Sequence, residues 1–287
     1  MKKKPNLIFA LRDDDVSYFT SAINYQEFLD TYVKEHSLIS GVITAQKGKP
    51  CMAIPQKYWN TNLNYPIKEN HAILNLLSIL ETTGNFFPAI HGYEHSYDVF
   101  GNTWIPELQQ KNAHLNLRIN IEKAEELFLD LFRNPLKLFI PPSNSLSPKC
   151  ASFLFSRSYT LFNYPGLKRN SRNTIKGTFY RILRAYSIKF NKRDLLKPYN
   201  ENKDSICYNS VSLLGLDSQL KLQKIADYCS SNNYPFILAL HNWELDHYKI
   251  GGIGTFGETL LDILNFLGEN YQIVRFIPKA KSILEKI

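Results

Sequence analysis

Short apolar runs alternate with amphipathic stretches along the chain, and this alternation most restricts how the chain can fold. Each run has the length and composition of a buried strand, and the stretches between them repeat apolar residues at helical spacing. The predicted strands cover residues 6–11, 39–44, 86–90, 136–140, 160–163, 206–214, 236–240 and 272–277. The predicted helices cover residues 25–36, 69–84, 120–134, 217–233 and 257–270.

Strand–helix–strand order, repeated seven or eight times in 287 residues, predicts an α/β fold. We expect one domain spanning residues 1–287, a distorted parallel (β/α) barrel of seven or eight strands. An open, doubly wound sheet is the alternative. No G-x-G-x-x-G follows the first strand, which disfavours a dinucleotide-binding form of that alternative.

The composition is that of a folded protein without a membrane span. Apolar residues make up 44% of the chain and aromatic residues 13%, which excludes a disordered chain. The apolar run at 7–11 is too short for a signal peptide and is followed directly by Arg12. The four cysteines lie far apart without a C-x-x-C pair, which indicates reduced thiols rather than a cysteine zinc site. We therefore expect a cytoplasmic protein.

One segment departs from this rhythm and carries much of the net charge of +8. Residues 166–200 contain ten lysines and arginines and a single acid, Asp194. Residues 178–190 place apolar side chains at roughly helical spacing between basic ones. We expect an insert that covers or flanks the barrel mouth, its charge serving an anionic carrier or an anionic membrane face. A solvated basic excursion is the alternative, and the pattern does not separate the two.

Polar residues stand at the ends of four predicted strands, where a core would not accept them. Three aspartates, 13–15, end the first strand, and the segment "HGYEH" (91–95) follows the third. The segment "PPSN" (141–144) follows the fourth, and His241 follows the seventh. Because the strands of a parallel barrel open at one mouth through their carboxyl ends, we expect these residues to converge there.

Two histidines and a carboxylate at this mouth are residue types that hold zinc or another divalent ion. His91 and His95 are separated by three residues, so one helical turn would place both imidazoles on the same side. Such a shell leaves open positions for water. A dication would also offset the repulsion among three adjacent aspartates. Each pattern alone is typical of ordinary surface or core residues, and only their common position at strand ends indicates a site.

The order of these segments resembles the polysaccharide deacetylases, metal-dependent de-N-acetylases of the NodB-homology type. Their motifs read T-F-D-D-G, H-[ST]-x-x-H, R-x-P-x-G-like and Leu-x-His, in that order. This chain has "RDDDV", "HGYEH", "FIPPSN" and "LALH" in the same order, over residues 7 to about 245. It is most similar to a divergent branch whose first motif reads Arg-x-Asp-Asp.

The resemblance implies a role for five residues. Asp14 corresponds to the general base, and Asp15 corresponds to a metal ligand. His91 and His95 correspond to the two histidine ligands of a divalent ion, for which we expect zinc. His241 corresponds to the general acid that protonates the leaving amine.

The register of the first motif has an alternative, in which Asp13 is the base and Asp14 the ligand. The first register is preferred because Arg12 and Asp14 then share one face of the strand.

Three positions depart from the resembled motifs. Gly92 stands where a serine or threonine is usual, Ile140 where an arginine is usual, and Asn144 where a glycine is usual. The resembled arginine supports the catalytic aspartate, and Arg12, two residues before Asp14, is positioned to replace it. These departures bear on the substrate more than on the fold or the metal site.

The expected function is a metal-dependent hydrolase that removes an N-acetyl group from an amino sugar of a surface glycan precursor. A cytoplasmic enzyme would meet nucleotide-linked or lipid-linked sugars. The alternative is a non-catalytic sugar-binding protein on a deacetylase-like barrel. Nucleic-acid binding through the basic insert ranks last, because no nucleic-acid motif accompanies it.

Overall fold

The computed structural model describes residues 3–100, 103–163, 196–200, 203–216, 218–247 and 254–284. The strands in this part of the chain are Asn6–Val16 (β1), Ser37–Val42 (β2), Ala45–Lys47 (β3), Asn64–Pro66 (β4), Phe86–Ile90 (β5), Tyr97–Phe100 (β6), Thr103–Pro106 (β7), Leu138–Phe139 (β8), Thr160–Phe162 (β9), Tyr199–Asn200 (β10), Ile206–Tyr208 (β11), Val211–Ser212 (β12), Phe236–Leu240 (β13) and Gln272–Arg275 (β14). The α-helices are Ala22–Phe28 (α1), His71–Glu81 (α2), Ala113–Leu131 (α3), Pro148–Ser156 (α4), Gln219–Asn232 (α5) and Phe256–Asn270 (α6). Short one-turn helices include Glu107–Gln109, Pro142–Asn144 and Asn242–Glu244.

Most strands belong to one mainly parallel sheet in the order β10-β11-β9-β8-β5-β2-β1-β13-β12, with β14 also paired to β1. Only the β10–β11 pair in this sheet is antiparallel among the described pairings. The central strand β1 lies between β2 and β13, and Asp13 pairs with Ser40 on one side and Leu240 on the other. The expected parallel (β/α) barrel architecture is confirmed.

The sheet curls until its two edges nearly meet. The strands β11 and β12 are separated by only two residues, Asn209 and Ser210, yet β11 pairs with β9 and β12 pairs with β13 at the other end of the order. The prediction of one continuous strand at 206–214 is therefore wrong. The segment forms two strands, because the chain passes there from one edge of the sheet to the other. The interior of the curl is a small apolar cluster to which most strands contribute, namely Ala10, Ile39, Ala89, Leu138, Ile140, Phe162, Tyr208, Ile237 and Phe276.

Side-chain alternation along β1 assigns its two faces. Leu7, Phe9 and Leu11 lie in the larger core under the helices, whereas Ala10 lies in the barrel interior. The same alternation directs Arg12 and Asp14 inward, as expected from the sequence.

Strand β1 continues through the three aspartates to Val16, beyond the predicted end at residue 11. Backbone pairing with β2 and β13 continues to Asp13, and the register with β2 shifts between Asp13 and Val16. Asp15 has a left-handed backbone with φ of 70°. The irregularity takes Asp15 out of the simple alternation and turns its carboxylate toward the mouth.

Several local expectations differ from the structure. Helix α3 begins at Ala113, before the predicted residue 120, and the first predicted helix is observed as α1 followed by a π-helical turn, Leu29–Val33. The helix predicted to begin at residue 217 is α5, and the side chain of Ser218 caps it. The predicted insert at 166–200 lies largely outside the described residues, and only residues 196–200 of it, which include β10, are described. No helix in the described part combines the length and hydropathy needed to cross a membrane.

The interior cluster leads to the first prediction. Ile39 is fully buried there, and replacement by alanine removes apolar contact in a site enclosed by several strands. We expect Ile39→Ala to lower the free energy of unfolding by about 2–5 kcal/mol. Denaturant titration measures the change, with Ile23→Ala as the control because Ile23 is 80% exposed. Equal stability of the two variants would contradict an enclosed barrel interior.

Candidate metal centre

Three side chains from different strand ends meet at the mouth of the barrel. Asp15 lies on the irregular end of β1, and His91 and His95 lie in the loop after β5. The Oδ1 atom of Asp15 is 3.2 Å from the Nε2 atoms of both histidines. These three residues form a group whose ligand atoms all lie close enough to share a metal ion. The structure therefore brings together the three ligands expected from the sequence.

The geometry and chemistry of this group fit a divalent cation. Asp15 Oδ1 is buried and receives no well-aligned hydrogen bond from the described residues. Donor atoms 3.2 Å apart subtend an angle of about 100° at an ion roughly 2.05 Å from each, which is near the tetrahedral angle preferred by zinc. Burial alone would raise the pKa of Asp15, but the neighbouring histidines hold it well below its usual range. The carboxylate is thus ionised, as a ligand must be.

His91 is oriented for ligation by its second ring nitrogen. Its Nδ1 lies 3.0 Å from the carbonyl oxygen of Ile140, so Nδ1–H donates to that carbonyl. The proton on Nδ1 leaves the lone pair of Nε2 directed at Asp15. Ile140, which replaces an arginine of the resembled motif, therefore contributes to the centre through its backbone.

His95 has a different environment. Burial lowers the pKa of His95 to about 3, so its imidazole is neutral. Lys49 Nζ lies 2.5 Å from His95 Nδ1 and donates to the His95 carbonyl at 2.6 Å. An ammonium that donates to Nδ1 would keep the proton on Nε2. Ligation by Nε2 therefore requires Lys49 Nζ to give up its contact with Nδ1. The hydrogen bond from Lys49 to the His95 carbonyl oxygen does not conflict with ligation.

Glycine at position 92 follows from the shape of the histidine loop. Gly92 has φ of +67°, and a Cβ atom there would lie 2.4 Å from Pro142 Cγ. A serine or threonine at this position would be strained by the positive φ and would clash with the Pro142 ring. The loop is held instead by the partly buried carboxylate of Glu107, which accepts from the backbone N–H groups of Tyr93 at 3.0 Å and His95 at 2.7 Å. The sequence analysis did not identify Glu107, which lies outside all the motifs.

Asp14 does not join the metal group and pairs with Arg12 instead. Arg12 Nε donates to Asp14 Oδ1 at 2.9 Å, and Nη2 donates to Oδ2 at 2.5 Å. Burial would raise the pKa of Asp14, but Arg12 and neighbouring His91 outweigh burial and hold it below its ordinary value. The geometry favours the register in which Asp15 is the ligand and Asp14 the free carboxylate.

A polar network surrounds Arg12, whose side chain is fully buried. Arg12 donates to Asn144 Oδ1 at 3.0 Å and to Ser210 Oγ at 2.8 Å. Asn163 joins the same two residues, donating to Asn144 Oδ1 and accepting from Ser210 Oγ, both at 2.8 Å. Asn144 thus has a definite role in place of the resembled glycine, and Asn163 and Ser210 are site residues that sequence reasoning missed.

His241 lies beside the metal group at the end of β13. Its Nε2 is 3.7 Å from Asp15 Oδ2, and its Nδ1 is 3.1 Å from Glu244 Oε2. Burial opposes charge on this imidazole, but Glu244, Asp15 and Asp14 raise its pKa to about 9. Trp243 packs against it with ring centroids 4.9 Å apart. The imidazole is therefore cationic near neutral pH in the metal-free protein.

Asp13 faces away from the metal group. It is fully buried and accepts hydrogen bonds from Asn242. Burial raises the pKa of Asp13 to about 8, although the Asn242 hydrogen bonds partly offset the effect.

Comparison with known proteins gives only distant similarities. No protein-family model matches the chain, and no curated protein matches it. Among solved structures, the chain is similar to a chitin deacetylase from the fungal pathogen Colletotrichum lindemuthianum, with 12% identity, 96% of this chain and 88% of that chain covered, and a TM-score of 0.47.

Two further structures have comparable similarity. A peptidoglycan N-acetylglucosamine deacetylase has 12% identity, 97% and 94% of the two chains covered, and a TM-score of 0.48. A CE4 family pseudoenzyme from Bacillus anthracis has 10% identity, 96% of this chain and 64% of that chain covered, and a TM-score of 0.44. At such identities and TM-scores these structures assign no activity to this chain, so its function has to be argued from the site.

The metal group leads to the second prediction. We expect the protein to bind one divalent ion through Asp15, His91 and His95, and His91→Ala to lose it because two remaining ligands hold zinc poorly. Elemental analysis measures occupancy, and the rise in melting temperature on adding zinc measures binding without any substrate. His114→Ala, on helix α3, is the matched control. Full occupancy in His91→Ala would rule out this ligand set.

Proposed function

We propose that the protein is a metal-dependent hydrolase that removes an N-acetyl group from an amino sugar of a surface glycan precursor. One observation carries the proposal. A two-histidine, one-carboxylate group lies next to a carboxylate kept ionised by Arg12 and next to an imidazole kept protonated by Glu244 and the aspartates. Hydrolysis of an amide needs a base for water and an acid for the departing amine, beside an electrophile.

The chemistry divides among few residues. Asp15, His91 and His95 would hold a divalent cation, which when bound would supply Lewis acidity to the acetyl carbonyl and lower the pKa of water. Asp14 accepts the proton of the attacking water. The two hydrogen bonds from Arg12 keep its carboxylate ionised and aligned. His241 donates the proton held on Nε2 to the amine as the carbon–nitrogen bond breaks.

The arrangement also supports a carbohydrate substrate. Trp243 stacks on His241, and Tyr97 lies between His95 and the half-exposed Trp104, at ring-centroid distances of 5.8 Å and 5.9 Å. Aromatic faces next to a hydrolytic site suit the apolar faces of sugar rings. The net charge of +8 favours a nucleotide-linked or lipid-linked sugar. The positive charge of segment 166–200 would attract its phosphates or an anionic membrane, and the cytoplasm is the proposed place of action.

A non-catalytic sugar-binding protein is the competing proposal. Its basis was the loss of the resembled arginine at Ile140 and of the hydroxyl at Gly92. Arg12 and Glu107 occupy the corresponding supporting positions here. A binding protein has no need for an ionised carboxylate and a protonated imidazole beside a metal group, so the hydrolase is favoured.

Elemental analysis followed by an acetate-release screen over nucleotide-linked and lipid-linked N-acetylated amino sugars tests the proposal. Metal together with acetate release supports a hydrolase. Sugar binding with metal but without acetate release from any member would replace it with the binding protein.

The third prediction concerns the base. Asp14→Asn keeps the shape of the side chain but removes the proton acceptor, so we expect turnover to fall by roughly 10²–10⁴-fold with the metal retained. Steady-state kinetics and elemental analysis on the same preparation measure both quantities. Asp130→Asn, at an exposed position of α3, is the control. Loss of the metal in Asp14→Asn would show that Asp14 is a ligand and that Asp13 takes the place of the base.

The fourth prediction concerns the acid. His241→Ala should slow amide hydrolysis far more than hydrolysis of an activated acetate ester, whose leaving group needs no proton. Because the protonated form is the active one and its pKa is raised to about 9 without metal, wild-type amide turnover should fall as pH rises through a value at or below about 9. A bound cation moves this value downward by repulsion.

Measurement of pH–rate profiles for both substrates checks this assignment. The alkaline decline should be absent from the residual amide activity of His241→Ala. An equal loss of amide and ester turnover would instead mean that His241 binds or orients the substrate.

A further inference from the structure

One of the three aspartates of β1, Asp13, has no part in the proposed chemistry. Asp13 has none of its surface exposed and lies outside the metal group. A buried carboxylate is costly unless local hydrogen bonds compensate for lost hydration. The partners of Asp13 therefore indicate what its burial serves.

The hydroxyl group of the buried Tyr25 contacts the Asp13 carboxyl group, and the other hydrogen bonds to it all come from one residue, Asn242. Its backbone N–H donates to Asp13 Oδ1 at 2.7 Å, and its Nδ2 lies 3.2 Å from Oδ1 and 3.0 Å from Oδ2. Asn242 directly follows His241 in the chain. Asp13 also stands opposite Leu240 in the β1–β13 ladder, so its side chain reaches the turn just where that ladder ends.

The turn is rigid within itself. Glu244 accepts from the His241 backbone N–H through Oε1 and contacts the His241 ring through Oε2, both at 3.1 Å. These bonds fix the imidazole relative to its own turn but not relative to β1, which carries Asp14 and Asp15. Among the described contacts, the hydrogen bonds from Asn242 to Asp13 join the turn to that strand, beside the longer 3.7 Å approach of His241 Nε2 to Asp15 Oδ2.

We infer that Asp13 is a positioning residue for His241. By holding Asn242 it fixes the His241–Glu244 turn on β1 and so sets where the imidazole Nε2 lies relative to Asp15. The inference rests on the proposed function for its kinetic consequences. Along β1, Asp13 then places the acid, Asp14 is the base and Asp15 is a metal ligand. A shift of the His241–Glu244 turn would disturb the acid alone.

The test combines a truncation with a reciprocal exchange. Asp13→Ala removes the acceptor, so we expect amide turnover to fall by about 10²-fold, the cost typical of a displaced catalytic group, with metal retained and activated ester turnover little changed. Asn242→Asp replaces the donating Nδ2 group by an acceptor that faces the Asp13 carboxyl group, and it should cause the same selective loss. The double variant Asp13→Asn with Asn242→Asp should recover amide turnover, because the amide at position 13 then accepts from the backbone N–H and donates to the carboxylate at position 242.

Glu125→Gln is the matched control. Glu125 is a buried carboxylate on α3 that accepts from Tyr159 Oη at 2.8 Å and Arg157 at 2.5 Å, away from the metal group. It should lower stability without changing the ratio of amide to ester turnover. If Asp13→Ala behaves as Glu125→Gln does, or if the exchange does not restore the ratio lost in Asn242→Asp, Asp13 is only a structural residue and the inference fails.

The nitrogen NMR resonances of the His241 ring provide a second measurement that needs no turnover. We expect them to shift in Asn242→Asp and to return in the double variant. If the wild-type protein releases no acetate from any amide, the proposed function fails, and these resonances still decide whether Asp13 places His241. Unchanged resonances in all variants would overturn the positioning role.

Discussion

Three successive buried carboxyl groups on the central strand can coexist because each one has a different partner and because burial raises the pKa of Asp13 to about 8. Asp13 faces the amide of Asn242, Asp14 faces the guanidinium of Arg12, and Asp15 faces two imidazoles. Alternation along the strand sends Asp13 and Asp14 to opposite faces, and the left-handed backbone at Asp15 turns the third carboxylate toward the mouth. The partners come from the loops after β5 and β13 and from β1 itself, so the barrel must be assembled before the strand can be buried.

The curl of the sheet is linked to Asp14 through Arg12. Ser210 lies in the two-residue link between β11 and β12, where the sheet edges approach, and its hydroxyl accepts from Arg12. Asn144 and Asn163 complete the contacts around the same guanidinium. Closing the barrel and orienting Asp14 therefore depend on one polar network, and a buried network of this kind specifies geometry more than it adds stability.

Two substitutions that weaken the resemblance to the deacetylases have local explanations. Arg12 approaches Asp14 from the same strand, so no arginine is needed at Ile140, whose carbonyl instead orients His91. Glu107 holds the histidine loop through backbone N–H groups, while Pro142 occupies the space that a side chain at position 92 would need. The supports of the site thus differ from those of the resembled motifs, whereas the residue types at Asp14, Asp15, His91, His95 and His241 match them.

The sequence by itself determined the parallel α/β barrel, the strands at 86–90 and 236–240, and the meeting of Asp15, His91 and His95, because strand ends converge wherever a parallel sheet closes. It also indicated the Arg12–Asp14 pair, since two residues on one strand share a face by alternation alone. Only the tertiary structure placed Asp15 rather than Asp14 beside the two histidines, divided β11 from β12, and brought Glu107, Asn163, Ser210 and Asn242 to the site. These contacts join residues far apart in the chain, up to 229 positions for Asp13 and Asn242, and they depend on backbone irregularities that no local periodicity encodes.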